Sequence, residues 1–344
     1  MTVQAMRNTL AASSSNAGGR LPTVPVTRRV LVTDSIHPAG IDRLRGAGLD
    51  VRYLPGLPAE VLPAKISDVH VLVVRSSTRV TRHVIDAAPQ LVVIGRAGVG
   101  MDNIDVPAAQ RRGIKVLNSP QGNVLAAAEH TLALLFAVAR HVPQADASLR
   151  RGEWSRQRFE GVQLSGKILG VVGLGRVGFE VARRAALLGM RVVAVDPVVT
   201  PARLHAIPAA PTSLESLFAE ADFITLHVPL ERSTRDLVDA RLLAMAKPGS
   251  RLVNAARGGL VDEAALRDAL RDGPLAAAAC DVFATEPPAG SPLLGLDNFI
   301  ATPHIAGSTA ESQRAVAVDI ASQIIAIFRD SLGAVASARM REGA

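Results

Sequence analysis

From residue 28 onward, short apolar runs alternate with segments whose apolar positions recur at helical spacing. A short, continuous, β-branched run is typical of a strand buried on both faces of a parallel sheet. In the first part of the chain this pattern predicts strands at residues 30–33, 51–54, 71–74, 91–94 and 115–117. Helices are predicted between them at residues 38–46, 81–88 and 106–112. Strands that alternate with helices in this way predict a parallel α/β domain.

A long apolar helix, predicted from Asn123 to about residue 149, leads into a second series of the same kind. Strands are predicted there at residues 168–172, 191–195, 223–226, 251–254, 277–280 and 299–301. Helices are predicted at residues 177–188, 214–220, 239–245, 263–271 and 310–328. The fold class predicted from both series is α/β, with two doubly wound parallel-sheet domains of the Rossmann or flavodoxin type and a cleft between them.

Residues 168–196 have the pattern of a dinucleotide-binding unit, with strand, glycine turn, helix, strand and terminal acid in sequence. Gly173 permits the tight turn, Gly175 lets the backbone approach a pyrophosphate, and Gly178 lets the helix pack against the strand. The start of the helix offers free N–H groups to phosphates. Asp196 ends the second strand and is suited to accept a hydrogen bond from a ribose 2′-hydroxyl, which predicts NAD rather than NADP.

Composition and charge narrow the class of protein. The 344 residues include one cysteine, Cys280, so a disulfide framework and a cysteine-built metal site are excluded, and no metal site is predicted. Cys280 lies in an apolar run and is expected to be buried and inert. The net charge is +7, but the arginines are scattered and aromatic residues are scarce. An anionic small-molecule substrate therefore explains the charge more simply than nucleic acid does.

The length of the apolar runs and the composition of residues 1–27 indicate where the protein is located. No apolar run approaches the roughly 20 residues needed to span a bilayer, so no membrane partner is expected. Residues 1–27 carry no acidic residue, and their composition permits an organellar transit peptide. They have little amphipathic order, so we interpret them as a disordered leader and expect a cytoplasmic protein. Residues 331–344 are expected to form a flexible tail.

Three charged side chains follow strands of the second series. Arg257, Glu286 and His304 each lie in a loop after a predicted strand, and such loops converge on one crevice of a parallel sheet. An arginine can hold a carboxylate bidentately, a histidine can exchange a proton, and a carboxylate can stabilise the protonated histidine. Singly, these residues are equally consistent with a loop salt bridge, an exposed acid and a satisfied core histidine. Together, beside a dinucleotide site, they predict hydride transfer on a 2-hydroxy or 2-keto acid.

With these motifs the chain resembles the D-isomer-specific 2-hydroxyacid dehydrogenases over about residues 30–328. The motifs include Gly95-Arg-Ala-Gly-Val-Gly-Met-Asp-Asn, Gly173-Leu-Gly-Arg-Val-Gly, Asn254-Ala-Ala-Arg-Gly-Gly and Pro303-His-Ile. The stretch around Gly152-Glu-Trp154 points to the branch that oxidises 3-phosphoglycerate to 3-phosphohydroxypyruvate at the entry to serine synthesis. The resemblance implies Arg257, Glu286 and His304 as catalytic residues. It also implies a substrate-binding domain of residues 28–123 plus 306–330 and an NAD-binding domain of residues 124–305.

The resemblance also implies binding residues. Those expected at NAD are Val99, Gly173, Gly175, Arg176, Val177, Gly178, Asp196, Val228, Ala255, Ala256, Asp281 and Gly307. Those expected at the substrate are Arg75, Ser76, Gly98, Asn123 and Arg156. In similar enzymes Arg156 reaches the partner subunit's site and the long helix region forms the dimer interface, so a homodimer or a dimer of dimers is implied.

Some features leave the activity open. Val99 and Val228 stand where relatives often carry threonine, which removes possible hydroxyl contacts to the cofactor. The chain ends at residue 344, so we expect a short form without the regulatory domain and serine feedback of some longer relatives. Arg75 and Arg156 favour a phosphorylated substrate, because one carboxylate needs only one bidentate arginine. The alternatives are a hydroxypyruvate, glyoxylate or other D-2-hydroxyacid reductase and a non-catalytic NAD-sensing scaffold.

Overall fold

The computed structural model describes residues 28–198, 206–207 and 209–342, with side chains described as far as Arg329. The predicted leader, residues 1–27, lies outside the described residues. Two parallel sheets organise the rest of the chain, one in each half.

The first sheet contains strands in the order β2-β1-β3-β4-β5, and all of its pairs are parallel. Its strands are β1 (Arg29–Val32), β2 (Asp50–Tyr53), β3 (Val71–Val74), β4 (Val93–Arg96) and β5 (Lys115–Asn118). Its helices are α1 (Pro38–Gly46), α2 (Leu62–Lys65), α3 (Arg82–Asp86) and α4 (Val106–Arg111). The strand order reverses between β1 and β3, and ligands of open α/β sheets bind in the crevice outside such a reversal.

The second sheet contains seven parallel strands in the order β12-β11-β10-β9-β6-β7-β8. These are β6 (Ile168–Val172), β7 (Arg191–Val195), β8 (Ala209–Pro211), β9 (Phe223–Leu226), β10 (Ser250–Asn254), β11 (Leu275–Cys280) and β12 (Phe299–Ala301). Its helices include α7 (Arg176–Leu187), α8 (Leu214–Glu220), α9 (Ala240–Ala244) and α10 (Glu263–Arg271). Here the order reverses between β6 and β9, next to the glycine turn. The predicted α/β fold with two doubly wound parallel sheets is confirmed.

The long linking helix was predicted as one element, and this is wrong. The structure has two helices, α5 (Val124–Arg140) and α6 (Val142–Arg150), which meet at His141 with a bend of 62°. Pro143 has no N–H to donate to Ala139, and the Ala139 carbonyl instead accepts the N–H of Val162 at 2.9 Å. His141 takes a left-handed conformation at the break, with φ 54°. A short 3₁₀ helix follows at Arg156–Phe159.

Membrane-spanning potential is limited to that bent pair. Among the described residues, no single helix is long and apolar enough to cross a bilayer, and α5 with α6 meets that test only by combined length and composition.

The last helix, α11 (Ala310–Glu342), returns the chain to the first sheet. Its residues Val316, Ile320 and Ile324 are buried among apolar side chains of β1, β3 and α1. It lies so close to α1 that a Cβ on Gly40 would be 2.7 Å from the Ala317 carbonyl oxygen. This packing supports the discontinuous first domain (28–123 plus 306–330), whose boundaries stay a prediction. The helix continues past its predicted end at residue 328, so most of the expected flexible tail, residues 331–344, is helical as far as Glu342.

The single cysteine is buried, as predicted. Cys280 ends β11 in the core of the second sheet and is 3% exposed. Burial raises the pKa of its thiol well above the ordinary range, and the nearby carboxylates of Glu263 and Asp281 raise it further. The thiol therefore stays protonated, which removes its nucleophilic form.

Candidate active site

Two predicted catalytic residues form a hydrogen-bonded pair at the ends of β11 and β12. Nδ1 of His304 lies 2.7 Å from Oε2 of Glu286. The other carboxylate oxygen of Glu286 accepts the N–H of Phe283 at 3.1 Å. Burial would raise the pKa of Glu286, but the bonds from His304 and Phe283 outweigh it, and the pKa lies below its ordinary value. Glu286 is therefore a carboxylate near neutral pH.

The loop that carries His304 is held by a buried carboxylate. Asp281 has no exposed surface, and its two oxygens accept from the hydroxyl of Thr302 at 2.6 Å and from the N–H groups of Ile305 at 2.9 Å and Ala306 at 2.8 Å. His304 itself has φ 54°, a left-handed conformation that costs energy in a non-glycine residue. The bonds to Asp281 fix this turn and so aim the imidazole.

A second histidine extends this network. Nε2 of His130, on α5, lies 3.2 Å from the hydroxyl of Thr302 and 3.4 Å from Oδ1 of Asp281. Burial would raise the pKa of Asp281, but the hydrogen bonds from His130, Thr302 and the two backbone N–H groups lower it further than burial raises it. Asp281 was predicted only as a cofactor contact. Its carboxylate also anchors the loop of His304.

The third predicted catalytic residue, Arg257, lies after β10 and points across the cleft. Its Nε donates to Oδ2 of Asp102 at 3.0 Å, and its Nη1 donates to the carbonyl of Ala256 at 2.6 Å. Asn254 stabilises the loop, because its side chain donates to the Arg257 carbonyl at 2.9 Å and accepts from Ala256 N at 3.1 Å. Asp102 belongs to the loop after β4, so this ion pair joins the two halves of the chain.

A pocket with about 570 Å³ of space, partly open to solvent, lies between the two sheets beside His304. Its walls include six predicted residues: Arg75, Ser76, Gly98, Asn123, His304 and Gly307. Ile36, after β1, and Arg75, after β3, place the pocket at the reversal of the first sheet. Ser308, Ser312 and Gln313 add polar groups from the start of α11.

The turn that presents Arg75 is fixed by two polar side chains. Asp34, which is buried, accepts from the N–H groups of Arg75 and Thr78 and from the Thr78 hydroxyl. The side-chain amide of Asn103 donates to the carbonyls of Arg75 and Thr78, each at 2.6 Å. Among the described residues, the Arg75 side chain donates only to the Ser35 carbonyl, at 3.2 Å, so its remaining donors are available to a ligand.

Arg96 also lines this pocket, although it was not among the predicted site residues. Its side chain crosses the face of Gly98, where a Cβ would be 1.5 Å from Nη1. Its Nε is buried and has no hydrogen-bond partner among the described residues. Burial lowers the pKa of Arg96 to about 10, and the charges of Arg257 and Arg75 contribute to the same shift. Arg96 is thus a cation near neutral pH that forms no ion pair within the described part of the chain, although the charges of Asp102 and Asp34 act on it, and this is the condition of an anion site.

The glycine turn after β6 has the geometry that its residue types predicted. Gly173 has φ 95°, and a Cβ there would be 2.8 Å from the His227 carbonyl oxygen. A Cβ on Gly178 would be 1.9 Å from the Gly173 carbonyl oxygen, so only glycine permits this helix contact. A Cβ on Gly175 would meet nothing within 4 Å, so this side of the turn is open. Open space beside the start of α7 fits a pyrophosphate.

Asp196, at the end of β7, lies against this turn. Its Oδ2 accepts the N–H of Leu174 at 2.7 Å and its Oδ1 accepts the N–H of Val198 at 2.8 Å. A carboxylate has further lone pairs, so these bonds leave it able to accept from a ribose hydroxyl. The donor set of this edge therefore fits an adenosine dinucleotide.

The remaining predicted residues lie around these features. Val228 packs against Gly173, and the Val99 carbonyl accepts from Asn118 at 2.7 Å. Ala255 and Ala256 form the loop after β10, and Arg176 and Val177 begin α7. Arg156 is exposed on the 3₁₀ helix and is not part of the pocket wall of its own chain. No cluster of three or more histidine, cysteine, aspartate or glutamate residues suited to a metal occurs in the described part of the chain.

Comparison with known proteins identifies the family. The family model described as "D-isomer specific 2-hydroxyacid dehydrogenase, NAD binding domain" matches residues 132–306. The chain therefore belongs to the D-isomer specific 2-hydroxyacid dehydrogenases, as the sequence motifs predicted. Because the matched region is the NAD-binding domain, the predicted cofactor is confirmed as well.

Several relatives are similar over most of this chain. The D-3-phosphoglycerate dehydrogenase of Methanocaldococcus jannaschii is 48% identical over 305 residues, which cover 88% of this chain and 58% of the relative. That of Archaeoglobus fulgidus is 48% identical over 298 residues, which cover 86% of this chain and 56% of the relative. The chain thus spans somewhat more than half the length of these curated relatives.

Solved structures show the same architecture. The TT0316 protein from Thermus thermophilus aligns with a TM-score of 0.82 and 39% identity, over 88% of this chain and 97% of that one. A D-lactate dehydrogenase from Aquifex aeolicus, complexed with NAD and lactic acid, aligns with a TM-score of 0.78 and 26% identity, over 88% and 96% of the two chains.

Proposed function

We propose that the protein oxidises 3-phosphoglycerate to 3-phosphohydroxypyruvate with NAD, as a step of serine biosynthesis. The observation that carries this proposal is the surplus of positive charge around the pocket. Arg75 and Arg96 line the pocket, and Arg257 lies close enough to lower the pKa of Arg96. One carboxylate needs one bidentate arginine, so the further cations suit a phosphate on the same small molecule. The 48% identity to D-3-phosphoglycerate dehydrogenases supports the same substrate.

His304 acts as the base in oxidation and as the acid in reduction. Glu286 holds Nδ1 at 2.7 Å, which leaves Nε2 as the ring nitrogen for the substrate hydroxyl. As Nε2 takes the hydroxyl proton, Glu286 stabilises the resulting imidazolium. Arg257 binds the carboxylate of the substrate and polarises the oxygen on C2. A bound NAD would supply the acceptor for the hydride that leaves C2, so that the alcohol would be oxidised to the ketone.

The chain supplies residues for each part of the dinucleotide. The turn of Gly173, Gly175 and Gly178, with Arg176 and Val177, receives the pyrophosphate, and Asp196 binds the adenosine ribose. The nicotinamide end is received between the two halves of the chain. Its proposed neighbours are Val99, Val228, Ala255, Ala256, Asp281 and Gly307. The substrate is bound by Arg75, Ser76, Gly98 and Asn123, and we add Arg96 to this set.

A homodimer, or a dimer of dimers, completes the site. Large apolar side chains are exposed along α5, α6 and the segment that follows: Leu125, Phe136, Val142, Leu149 and Trp154. Phe136, Val142 and Leu149 lie around one surface groove, and an exposed apolar patch of this kind is typical of a subunit interface. Arg156 lies on the same segment and binds the phosphate of the partner's substrate. The enzyme is cytoplasmic, which is the expected location for this metabolic step.

A substrate panel tests this function. The purified protein is assayed with NAD and NADP for oxidation of 3-phosphoglycerate, D-glycerate and D-lactate, and with NADH for reduction of hydroxypyruvate and glyoxylate. We expect the highest kcat/KM with 3-phosphoglycerate and NAD. A higher kcat/KM with hydroxypyruvate or glyoxylate would replace the proposal with a reductase. Tight NADH binding without turnover of any substrate would favour an NAD-sensing scaffold.

A further inference from the structure

The two halves of the chain are joined at the cleft by an ion pair on a catalytic residue. Arg257, after β10, donates from Nε to Oδ2 of Asp102, in the loop after β4, at 3.0 Å. Asp102 is 56% exposed and Arg257 28%. Exposed ion pairs contribute little to stability, so a tie between domains is a weak explanation of this contact. The stronger explanation of the ion pair is that it orients the guanidinium of Arg257.

The guanidinium of Arg257 is held on two of its three nitrogens. Nε is bound by Asp102 and Nη1 by the carbonyl of Ala256, while Nη2 has no hydrogen-bond partner among the described residues. Arginine carries donors in a planar fork, so two fixed nitrogens define the direction of the third. The free donors on Nη2 and Nη1 therefore have one orientation.

Gly100 provides the space for this orientation. A Cβ on Gly100 would lie 2.1 Å from Nη2 of Arg257 and 2.7 Å from Oδ2 of Asp102. Any side chain at position 100 would push the guanidinium away from the first domain. The atoms it would meet are ends of flexible side chains, so the fold would persist while the guanidinium moved.

We propose that Asp102 and Gly100 form a socket that positions Arg257 for the substrate carboxylate. Asp102 is a positioning residue. It accepts the hydrogen bond from Nε of Arg257 and leaves the Nη donors free to bind the substrate. This inference rests on the proposed function, in which Arg257 binds that carboxylate. Because Asp102 and Arg257 belong to different halves of the chain, the socket forms only when the cleft is closed to the separation seen here.

The test uses Asp102→Ala and Gly100→Ala, with Asp86→Ala as the matched control. Asp86 pairs with Arg82 in the same domain and is also 56% exposed. Both socket variants should raise the KM for 3-phosphoglycerate about tenfold, the order expected when a binding group is misplaced, while the KM for NAD stays unchanged. The Asp86→Ala control should have the same KM values as the unaltered enzyme. A substrate KM that stays at the control value in both socket variants, or equal rises in both KM values, would overturn the inference.

A double-mutant cycle shows whether Asp102 acts through Arg257. Adding Asp102→Ala to Arg257→Met should cause no further loss of kcat/KM, because there is no guanidinium left to position. A further loss as large as in the unaltered background would mean that Asp102 acts independently, and the inference would be wrong. If the Arg257→Met enzyme has normal activity, the proposed role of Arg257 in binding the substrate carboxylate would also be ruled out. If Arg257→Met loses activity while Asp102→Ala keeps normal activity, only the positioning role of Asp102 and Gly100 would be ruled out.

Discussion

Oε2 of Glu286 lies 2.7 Å from Nδ1 of His304, and Oε1 of the same carboxylate is held by the Phe283 N–H. The Phe283 N–H therefore fixes the orientation of the Glu286 carboxylate, and His304 contacts a carboxylate that cannot rotate freely. The lowered pKa of Glu286 keeps this carboxylate charged near neutral pH. This relationship gives the pH dependence of the reaction a definite direction.

Glu286→Gln should shift the pH profile of 3-phosphoglycerate oxidation to lower pH. Oxidation requires neutral His304, and the glutamine no longer stabilises the protonated ring, so the neutral form appears at lower pH. Because both side chains are partly exposed, solvent screens the pair, and we expect a modest downward shift in the midpoint of kcat/KM. A profile with an unchanged midpoint would show that the pair does not control proton transfer.

Arg96→Met should separate phosphorylated from unphosphorylated substrates. A charge-assisted contact contributes about 1.5–3 kcal/mol, so kcat/KM for 3-phosphohydroxypyruvate should fall by roughly tenfold to a hundredfold. Reduction of hydroxypyruvate should fall much less, because Arg257 still binds its carboxylate. Arg82→Met, in an exposed pair with Asp86, is the control. Equal losses on both substrates would favour the hydroxypyruvate or glyoxylate activity.

The same variant should be more stable than the unaltered protein in the absence of ligand. Arg96 carries an unpartnered buried Nε, and its burial together with repulsion from Arg257 and Arg75 outweighs its attraction to Asp102 and Asp34. Methionine fills similar space without the buried charge, so Tm measured by differential scanning fluorimetry should rise by about 2–4 °C. A lower Tm would mean that the guanidinium makes stabilising contacts that outweigh this repulsion.

Asp281→Asn should weaken the fold above pH 4 and flatten its loss of stability in acid. The folded-state pKa of Asp281 lies below the ordinary 3.8, so its contribution is complete above that pH and is lost as the pH falls through the lower, folded value. The asparagine cannot accept from all four donors, at a cost of roughly 2–4 kcal/mol near neutral pH. Denaturant unfolding between about pH 2 and 7 measures both effects. Parallel curves for the two proteins below pH 4 would contradict this.

Asp196→Ala should reduce the preference for NAD over NADP about tenfold or more, because the carboxylate that repels a 2′-phosphate is gone. The ratio of kcat/KM values for the two cofactors measures this. Part of any loss in absolute rate will come from the Leu174 N–H, which loses its acceptor. Asp196→Asn keeps an acceptor there and serves as the control for the turn. Comparable use of NADP by the unaltered enzyme would contradict the assignment of Asp196.

Mixed dimers test the contribution of Arg156. If Arg156 serves the partner's site, an inactive His304→Ala subunit still supplies it to an Arg156→Ala subunit. After random subunit exchange, half of the dimers have one intact site, so about a quarter of the normal activity should return. Each homodimer alone should stay far below this value. Mixtures no more active than the average of the two homodimers would remove the cross-subunit role.

The sequence was sufficient for the features that depend on local pattern. Buried parallel strands have a recognisable apolar run, and the glycine spacing from Gly173 to Gly178 indicates a tight strand-to-helix turn, in which a Cβ on Gly173 or Gly178 would clash. His304, Glu286 and Arg257 could be brought together because the carboxyl ends of parallel strands share one edge. The contact between His304 and Glu286 then follows from the adjacency of β11 and β12, whereas the hydrogen bonds of the Arg257 side chain go to Asp102 and Ala256.

Features that depend on distant contacts could not be predicted. The place of Arg96 in the pocket could not be predicted, because it depends on Gly98, which leaves room for the Arg96 side chain to turn towards Arg75 and Arg257. The break at His141 was indicated locally by Pro143, whose missing N–H interrupts a helix, but the partner of the Ala139 carbonyl, Val162, lies well beyond the helix and could not be predicted. The strand β8 (Ala209–Pro211) is short and contains a proline, so nothing in its pattern distinguishes it from a loop.

The burial of Cys280 makes the protein a convenient background for site-directed labelling. As the only sulfhydryl in the chain, and one that stays protonated inside the second sheet, it will not react with maleimide probes near neutral pH. Two cysteines placed at exposed positions, for example at Asp86 in the first half and Glu215 in the second, would therefore carry the only labels. The distance between a donor and an acceptor dye at these positions would report directly how far the cleft opens and closes during turnover.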